Sequence, residues 1–79
     1  MTLYELLLPQ FGMGMQEGEI VAWRKAPGDR IAEGEIIVEI NSEKSTVEVE
    51  SPFDGEVVEL CVAEGETVPV ATVIARIKG

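Results

Sequence analysis

The chain has 79 residues with fifteen acidic and six basic side chains, giving a formal net charge of −9, and this length suits one small domain, residues 1–79. So negative a surface repels the nucleic-acid backbone, and we interpret the charge as a source of solubility rather than as a field that steers one partner. No apolar run approaches a membrane span, no basic segment followed by an apolar stretch opens the sequence, and one cysteine cannot form an internal disulfide, so a soluble cytoplasmic domain is expected.

An internal repeat organises the predicted elements. Gly18–Ile40 aligns without a gap on Gly55–Ile77, with matched glycines and matched apolar positions. Two copies are too few for a solenoid, so we expect a local two-fold axis that lets each copy cover the apolar face of the other. Glycines at paired positions are predicted to take positive φ angles in turns: Gly18, Gly28, Gly55 and Gly65.

The first copy is preceded by about six extra residues. Pro9 and Gly18 are nine residues apart, whereas their counterparts Pro52 and Gly55 are three apart. The extra residues form a predicted loop, residues 10–16, whose glycines favour mobility. An insertion in one copy is not needed to build the fold, so it is either neutral drift or an added recognition feature.

Short segments rich in β-branched residues predict strands at 19–23, 35–40, 56–60 and 72–77. Between the copies, alternating valines and polar residues predict another half-buried strand around Val47–Val49. No window has a helical period with a cap and a stop. These patterns predict an all-β domain of two small antiparallel sheets packed face to face, or a flattened barrel.

A tight turn of Asn41, Ser42, Glu43 and Lys44 is predicted between two of these strands. Lys44 lies near the middle of the chain, and in a two-fold arrangement the middle and the two ends fall on opposite sides. Most lysines beside turns are ordinary surface residues. At this tip, however, a modifying enzyme has free access to the amine, and the four-carbon stem can serve as an arm.

The sequence argues against an enzyme and against a metal protein. It has no histidine, no Gly-x-Ser-x-Gly and no Cys-x-x-Cys motif, and a zinc site needs several Cys or His ligands where this chain has one cysteine. We therefore expect a domain without its own active site and without a metal.

Three motifs resemble the lipoyl domains of the acyltransferase component of 2-oxo acid dehydrogenase complexes. They are LPQFGMGMQEGEIVAW (Leu8–Trp23), PGDRIAEGEIIVEI (Pro27–Ile40) and SEKSTVEVESPFDGEV (Ser42–Val57). The third contains the acidic residue followed by lysine of the modification site, which the resemblance places at Lys44.

The resemblance implies a flattened β-barrel, a barrel-sandwich hybrid, of two four-stranded antiparallel sheets with pseudo-two-fold symmetry. It implies an acyl-carrier domain that acts as a swinging arm, with lipoic acid in amide linkage to Lys44. The implied partners are a thiamine-diphosphate-dependent 2-oxo acid decarboxylase, the acyltransferase core, dihydrolipoamide dehydrogenase and a lipoate-attaching enzyme, with the isolated domain a monomer. Expected recognition flanks are Ser42, Glu43, Ser45, Gly28 and Gly55. The expected partner loop is formed by Gln10, Phe11, Gly12, Met13, Gly14 and Met15.

Two alternatives stay open. A biotin carrier shares the fold, but its lysine is normally flanked by methionine on both sides, whereas Glu43 and Ser45 flank Lys44 here. The other alternative is an unmodified interaction module of the same barrel type, as in efflux adaptors, in which Lys44 has no special role.

Overall fold

The computed structural model describes residues 2–10, 14–42 and 45–79 of the chain. Within these ranges the regular elements are all β-strands, which confirms the all-β class, and none is a helix that could span a membrane. The strands are β1 (Leu3–Leu7), β2 (Glu17–Trp23), β3 (Arg30–Ile31), β4 (Ile36–Asn41), β5 (Thr46–Glu50), β6 (Gly55–Leu60), β7 (Thr67–Pro69) and β8 (Val73–Lys78).

The strands form two four-stranded antiparallel sheets. One has the order β1-β8-β6-β3 and is called the terminal sheet, because both chain ends leave from it; the other has the order β5-β4-β2-β7 and is called the hairpin sheet. The predicted pair of four-stranded sheets is confirmed. Within the described residues no strand pairing joins the two sheets, so they remain open rather than closing into a barrel.

The pseudo-two-fold symmetry extends to single hydrogen bonds. A shift of 37 residues carries β4 onto β8, with Ile36 falling on Val73, and likewise carries β2 and β3 onto β6 and β7. The Ile20 N–H donates to the Glu66 carbonyl at 2.8 Å, and the equivalent Val57 N–H donates to the Asp29 carbonyl at the same distance. Each sheet therefore contains strands from both copies, and the copies hold each other in place.

The core lies between the sheets and follows the same symmetry. Equivalent apolar side chains from the two copies are fully buried, for example Ile37 with Ile74 and Ile40 with Ile77. One pair breaks the match, because Leu8 in the first copy is replaced in the second by buried Ser51, whose hydroxyl donates to the Phe53 carbonyl at 2.6 Å. The buried apolar residues are Leu6, Leu8, Ile20, Ile31, Ile37, Val38, Ile40, Val49, Val57, Ile74, Ala75 and Ile77.

Gly28 and Gly65 occupy equivalent turns with positive φ angles of 96° and 91°, as the repeat predicts. Their N–H groups donate to the carbonyls of Val57 and Ile20, both at 2.7 Å. In a turn of this kind the left-handed backbone conformation strains any residue that has a Cβ. These glycines therefore fix how each copy is connected to the other.

The same prediction is wrong for Gly18 and Gly55, which lie in β2 and β6 without positive φ. Glycine is present there for space instead. A Cβ at Gly18 would lie 2.8 Å from Cγ2 of Ile40, and one at Gly55 would lie 2.9 Å from Cγ2 of the equivalent Ile77. The two positions are paired because the same isoleucine packs against the strand in each copy.

Candidate functional site

The candidate site is the end of the β4–β5 hairpin. Asn41 and Thr46 are the last pair in the strand register, and beyond them the Ser42 N–H donates to the Ser45 carbonyl at 2.8 Å. Asn41 still belongs to β4, although the sequence predicts it in the turn. Glu43 and Lys44, the predicted acidic neighbour and the predicted modification residue, lie outside the described residues.

This hairpin points away from the chain ends. The segment 51–54 lies at its base, where the Gly34 N–H donates to the Ser51 carbonyl at 2.9 Å. The same segment contacts the termini, since the rings of Phe53 and Tyr4 have centroids 4.2 Å apart, and a Cβ on Gly79 would lie 3.6 Å from the Asp54 carbonyl oxygen. The strands of the hairpin separate this base from the turn by about 17–20 Å. In a molecule 35 Å long, the turn and the termini are at opposite ends.

The termini themselves form the symmetry equivalent of the hairpin end. The Gly79 N–H donates to the Thr2 carbonyl at 2.8 Å, and the Thr2 N–H donates to the Gly79 carbonyl at 3.4 Å. This pair corresponds to Ser42 and Ser45. The pseudo-two-fold thus places the chain ends at one pole of the molecule and the end of the β4–β5 hairpin at the other, as the sequence predicts.

The hairpin sheet has an acidic outer face. The exposed Glu48 and Glu50 alternate with buried Val49, and Arg24 is a cation on this face, paired with Glu39. In the sequence these acidic residues are separated from one another rather than gathered into one segment. The two-residue period of the strands would have shown that several share one face. Those on it are Glu17, Glu19, Glu39, Glu48 and Glu50.

The described part of the predicted partner loop begins and ends close to the hairpin end. β2 starts at Glu17, two residues beyond the Glu19–Asn41 pair, so the loop leaves the sheet on the side where the turn lies. The Gln10 side-chain amide donates to the Met15 carbonyl at 3.1 Å and closes the loop at its base. The structure therefore brings the ends of the loop and the flanks of the turn to one pole.

The side chain of Met15 packs partly against the core, and Gly14 has a positive φ of 89°. A Cβ at Gly18 would lie 3.1 Å from Cε of Met15. This methionine therefore packs over the space that a side chain at position 18 would occupy. The remaining predicted loop residues, Phe11, Gly12 and Met13, lie outside the described residues.

Gly28 and Gly55 are not brought to the hairpin end. Gly28 is in the turn before β3, and Gly55 starts β6 opposite Ile31; β3 and β6 belong to the terminal sheet. Packing and backbone geometry account for both glycines without a contact to the site.

Comparison with known proteins identifies the class. The family model described as Biotin-requiring enzyme matches residues 4–77, so the chain belongs to this biotin/lipoyl family. The fold and this match together define a carrier domain of that family.

Within that family the chain is similar to lipoyl-bearing acyltransferases. It is 41% identical over 73 residues to the dihydrolipoyllysine-residue acetyltransferase component of the acetoin cleaving system of Bacillus subtilis, covering 92% of this chain and 18% of that protein. It is 43% identical over 74 residues to the corresponding component of the pyruvate dehydrogenase complex of Staphylococcus aureus, covering 94% and 17%. The chain thus spans less than a fifth of these relatives. They confirm the resemblance that the three motifs indicate.

Two solved structures have a fold similar to that of this chain. The lipoyl domain of the 2-oxoglutarate dehydrogenase complex from Azotobacter vinelandii superposes with a TM-score of 0.79 at 28% identity, covering 95% of both chains. A single-chain, multi-domain long-chain acyl-CoA carboxylase superposes with a TM-score of 0.80 at 16% identity, covering 96% of this chain and 7% of that one. At 16% identity this second likeness shows the fold alone.

Proposed function

We propose that residues 1–79 form one lipoyl carrier domain in which Lys44 bears lipoic acid in amide linkage. The observation that carries the proposal is the position of the β4–β5 turn, at the opposite end of the molecule from both termini. A carrier must reach several active sites while its chain ends stay tethered. A lysine in this turn meets that requirement, because the length of the domain separates it from the tethered chain ends.

The residues around the turn suit a covalently held group. Asn41, Ser45 and Thr46 are exposed, and Ser42 is half-buried. An arm attached through an amide needs an accessible amine and a rigid base, and it needs no pocket. When attached, lipoic acid supplies a dithiolane that takes up an acyl group together with two electrons. The domain supplies the base of the arm and a high effective concentration at each partner.

We further propose the partners that such an arm serves. These are a thiamine-diphosphate-dependent 2-oxo acid decarboxylase, an acyltransferase core, dihydrolipoamide dehydrogenase and the enzyme that attaches lipoate. The names of the relatives support this set. The loop 10–16 is the proposed recognition element for the decarboxylase, because the described ends of the loop lie at the same pole as the turn.

The test is the intact mass of the chain after coexpression with a lipoate-attaching enzyme. The chain has three lysines, so each can be replaced in turn by arginine. We expect one lipoyl adduct on the wild type, on Lys25→Arg and on Lys78→Arg, and none on Lys44→Arg. Lys25 lies 2.7 Å from Glu35 in an ion pair that arginine preserves, which makes Lys25→Arg a folded control.

Coexpression with a biotin ligase separates the nearest alternative. A biotin-sized adduct that replaces the lipoyl one would assign the chain to the biotin carriers instead. An adduct that persists on Lys44→Arg would show that another residue is modified, and a wild type that acquires neither group would indicate an unmodified interaction module.

A further inference from the structure

The carbonyl of Ser45 accepts two hydrogen bonds from the same residue. The backbone N–H of Ser42 donates to it at 2.8 Å, and the Ser42 hydroxyl donates to it at 3.0 Å. Ser42 is half-buried, while Ser45 is exposed and contributes its carbonyl. The hydroxyl therefore adds a second bond to the last described pair before the turn.

The equivalent pair at the other pole lacks this bond. There Gly79 takes the place of Ser42 and Thr2 the place of Ser45, and the pair is joined through the backbone alone, at 2.8 and 3.4 Å. The fold thus forms this pair without a hydroxyl. At the hairpin end the hydroxyl bond stands in place of the second backbone bond, because one backbone bond joins Ser42 to Ser45 whereas two join Gly79 to Thr2.

Two residues connect Ser42 to Ser45 along the chain. The shorter a connection is, the more its conformations depend on how firmly its two ends are held. Binding of this turn by an enzyme costs less conformational entropy when Ser42 and Ser45 are already held in place. When only a fraction of molecules has the competent geometry, the apparent affinity falls by that fraction.

We propose that Ser42 is a positioning residue for the modification of Lys44: its hydroxyl holds the base of the turn in the geometry that the attaching enzyme binds. This inference rests on the proposed function. Ser42 acts through the Ser45 carbonyl.

The test is the kinetics of lipoate attachment to the purified apo chain and its variants. In Ser42→Ala the apparent KM for the domain should rise about threefold to tenfold, the effect of one lost hydrogen bond, with kcat nearly unchanged. Ser42→Thr keeps the hydroxyl and should restore the wild-type KM. Urea unfolding under the assay conditions verifies that every variant is folded.

A KM for Ser42→Ala within twofold of the wild-type value overturns the positioning role, while the adduct on Lys44 leaves the proposed function standing. A failure of Ser42→Thr to restore KM also overturns it, because the hydroxyl would then not be the group that matters. A wild-type chain that acquires no lipoate at all overturns the proposed function and the positioning role with it.

Discussion

Ala71 carries backbone strain that its symmetry equivalent avoids. Ala71 has a positive φ of 69°, and the residue at the same place in the other copy is Gly34, with a φ of 86°. The N–H groups of both donate at 2.9 Å, from Ala71 to the Leu8 carbonyl and from Gly34 to the Ser51 carbonyl. The conformation is required in both copies, and one of them holds it with a residue that has a Cβ.

Replacing Ala71 by glycine should therefore stabilise the domain. Relief of the left-handed strain exceeds the greater freedom that glycine has in the unfolded chain, and we expect a net gain of about 0.5–1 kcal/mol in the free energy of unfolding. For a domain of this size a gain of 1 kcal/mol raises Tm by roughly 4–8 °C. Thermal unfolding followed by circular dichroism measures this.

The matched control is Ala63→Gly, at an exposed turn position without positive φ. It should lower the stability slightly, through the unfolded state alone. If Ala71→Gly lowers Tm as Ala63→Gly does, the strain at Ala71 is absent.

At the scale of the elements, the turn before β4 depends on the ionised form of Glu35. Its carboxylate accepts from the Ala32 N–H at 3.0 Å and pairs with the Lys25 ammonium at 2.7 Å. The bond to Lys25, and then that to Ala32, lower the pKa of Glu35 below its ordinary value of 4.5. Since the Glu35 carbonyl also accepts from the Ser51 N–H at 2.9 Å, this turn sets the base of the hairpin.

A group whose pKa is lower in the folded state stabilises the fold above its unfolded pKa, and the contribution is lost as the pH falls through the folded value. We expect Glu35→Gln to have a lower urea midpoint than the wild type at pH 7. The difference should shrink as the pH falls below about 4.5, because the wild-type carboxyl then becomes neutral too. The effect is small, since Glu35 is only half-buried and its ion pair is screened by solvent.

Urea unfolding at pH 7 and at stepwise lower pH checks this. Glu33→Gln serves as the control, because its carboxyl lies in the same turn and the interaction there uses its backbone N–H, which donates to Asp54 at 2.7 Å. A wild-type advantage over Glu35→Gln that persists unchanged into the acid range would contradict the role of the ionised carboxylate.

The predicted elements were those with a strong two-residue period. The strands β2, β4, β5, β6 and β8 appear within two residues of their predicted ends. The others gave no such signal, because β1 ends in a run of leucines, β3 has two residues, and β7 includes Pro69. Edge position explains how Pro69 is tolerated, since β7 pairs on one side with β2 and proline lacks an N–H to donate.

At the scale of the whole molecule, the repeat made the fold predictable and also fixed the pole at which the turn lies. What the sequence could not give was the hydroxyl bond between Ser42 and Ser45, because it depends on the side-chain geometry at the strand ends. Nor could it separate the two reasons for conserving glycine in both copies, since a turn glycine such as Gly28 and a packing glycine such as Gly18 align equally well.

The symmetry predicts that the chain ends can be joined. Ser42 and Ser45 are linked by two residues, and the equivalent Gly79 and Thr2 are already hydrogen-bonded to each other. A cyclic variant in which Asn-Gly connects Gly79 to Thr2 should fold without strain, since that dipeptide suits a two-residue hairpin. Joining the two ends lowers the conformational entropy of the unfolded chain, and it should raise the free energy of unfolding by roughly 2–4 kcal/mol.

The measurement is the urea midpoint of the cyclic variant against a linear chain with the same composition, in which Met1 is removed and Asn-Gly follows Gly79. Equal midpoints for the two would show that the ends are not held together in the folded state as their hydrogen bonds indicate.

The pairing of the two ends also governs how the domain responds to mechanical force. β1 and β8 are antiparallel neighbours with Leu3 opposite Lys78, so a pull on both ends loads the Thr2–Gly79 pair first and then each following pair in turn. Hydrogen bonds that are loaded one after another resist less force than bonds that must all break together. A pull between the β4–β5 turn and either end instead crosses the core and loads many contacts at once. We therefore expect the domain to unfold at a lower force when it is pulled by its two ends than when it is pulled between the β4–β5 turn and one end.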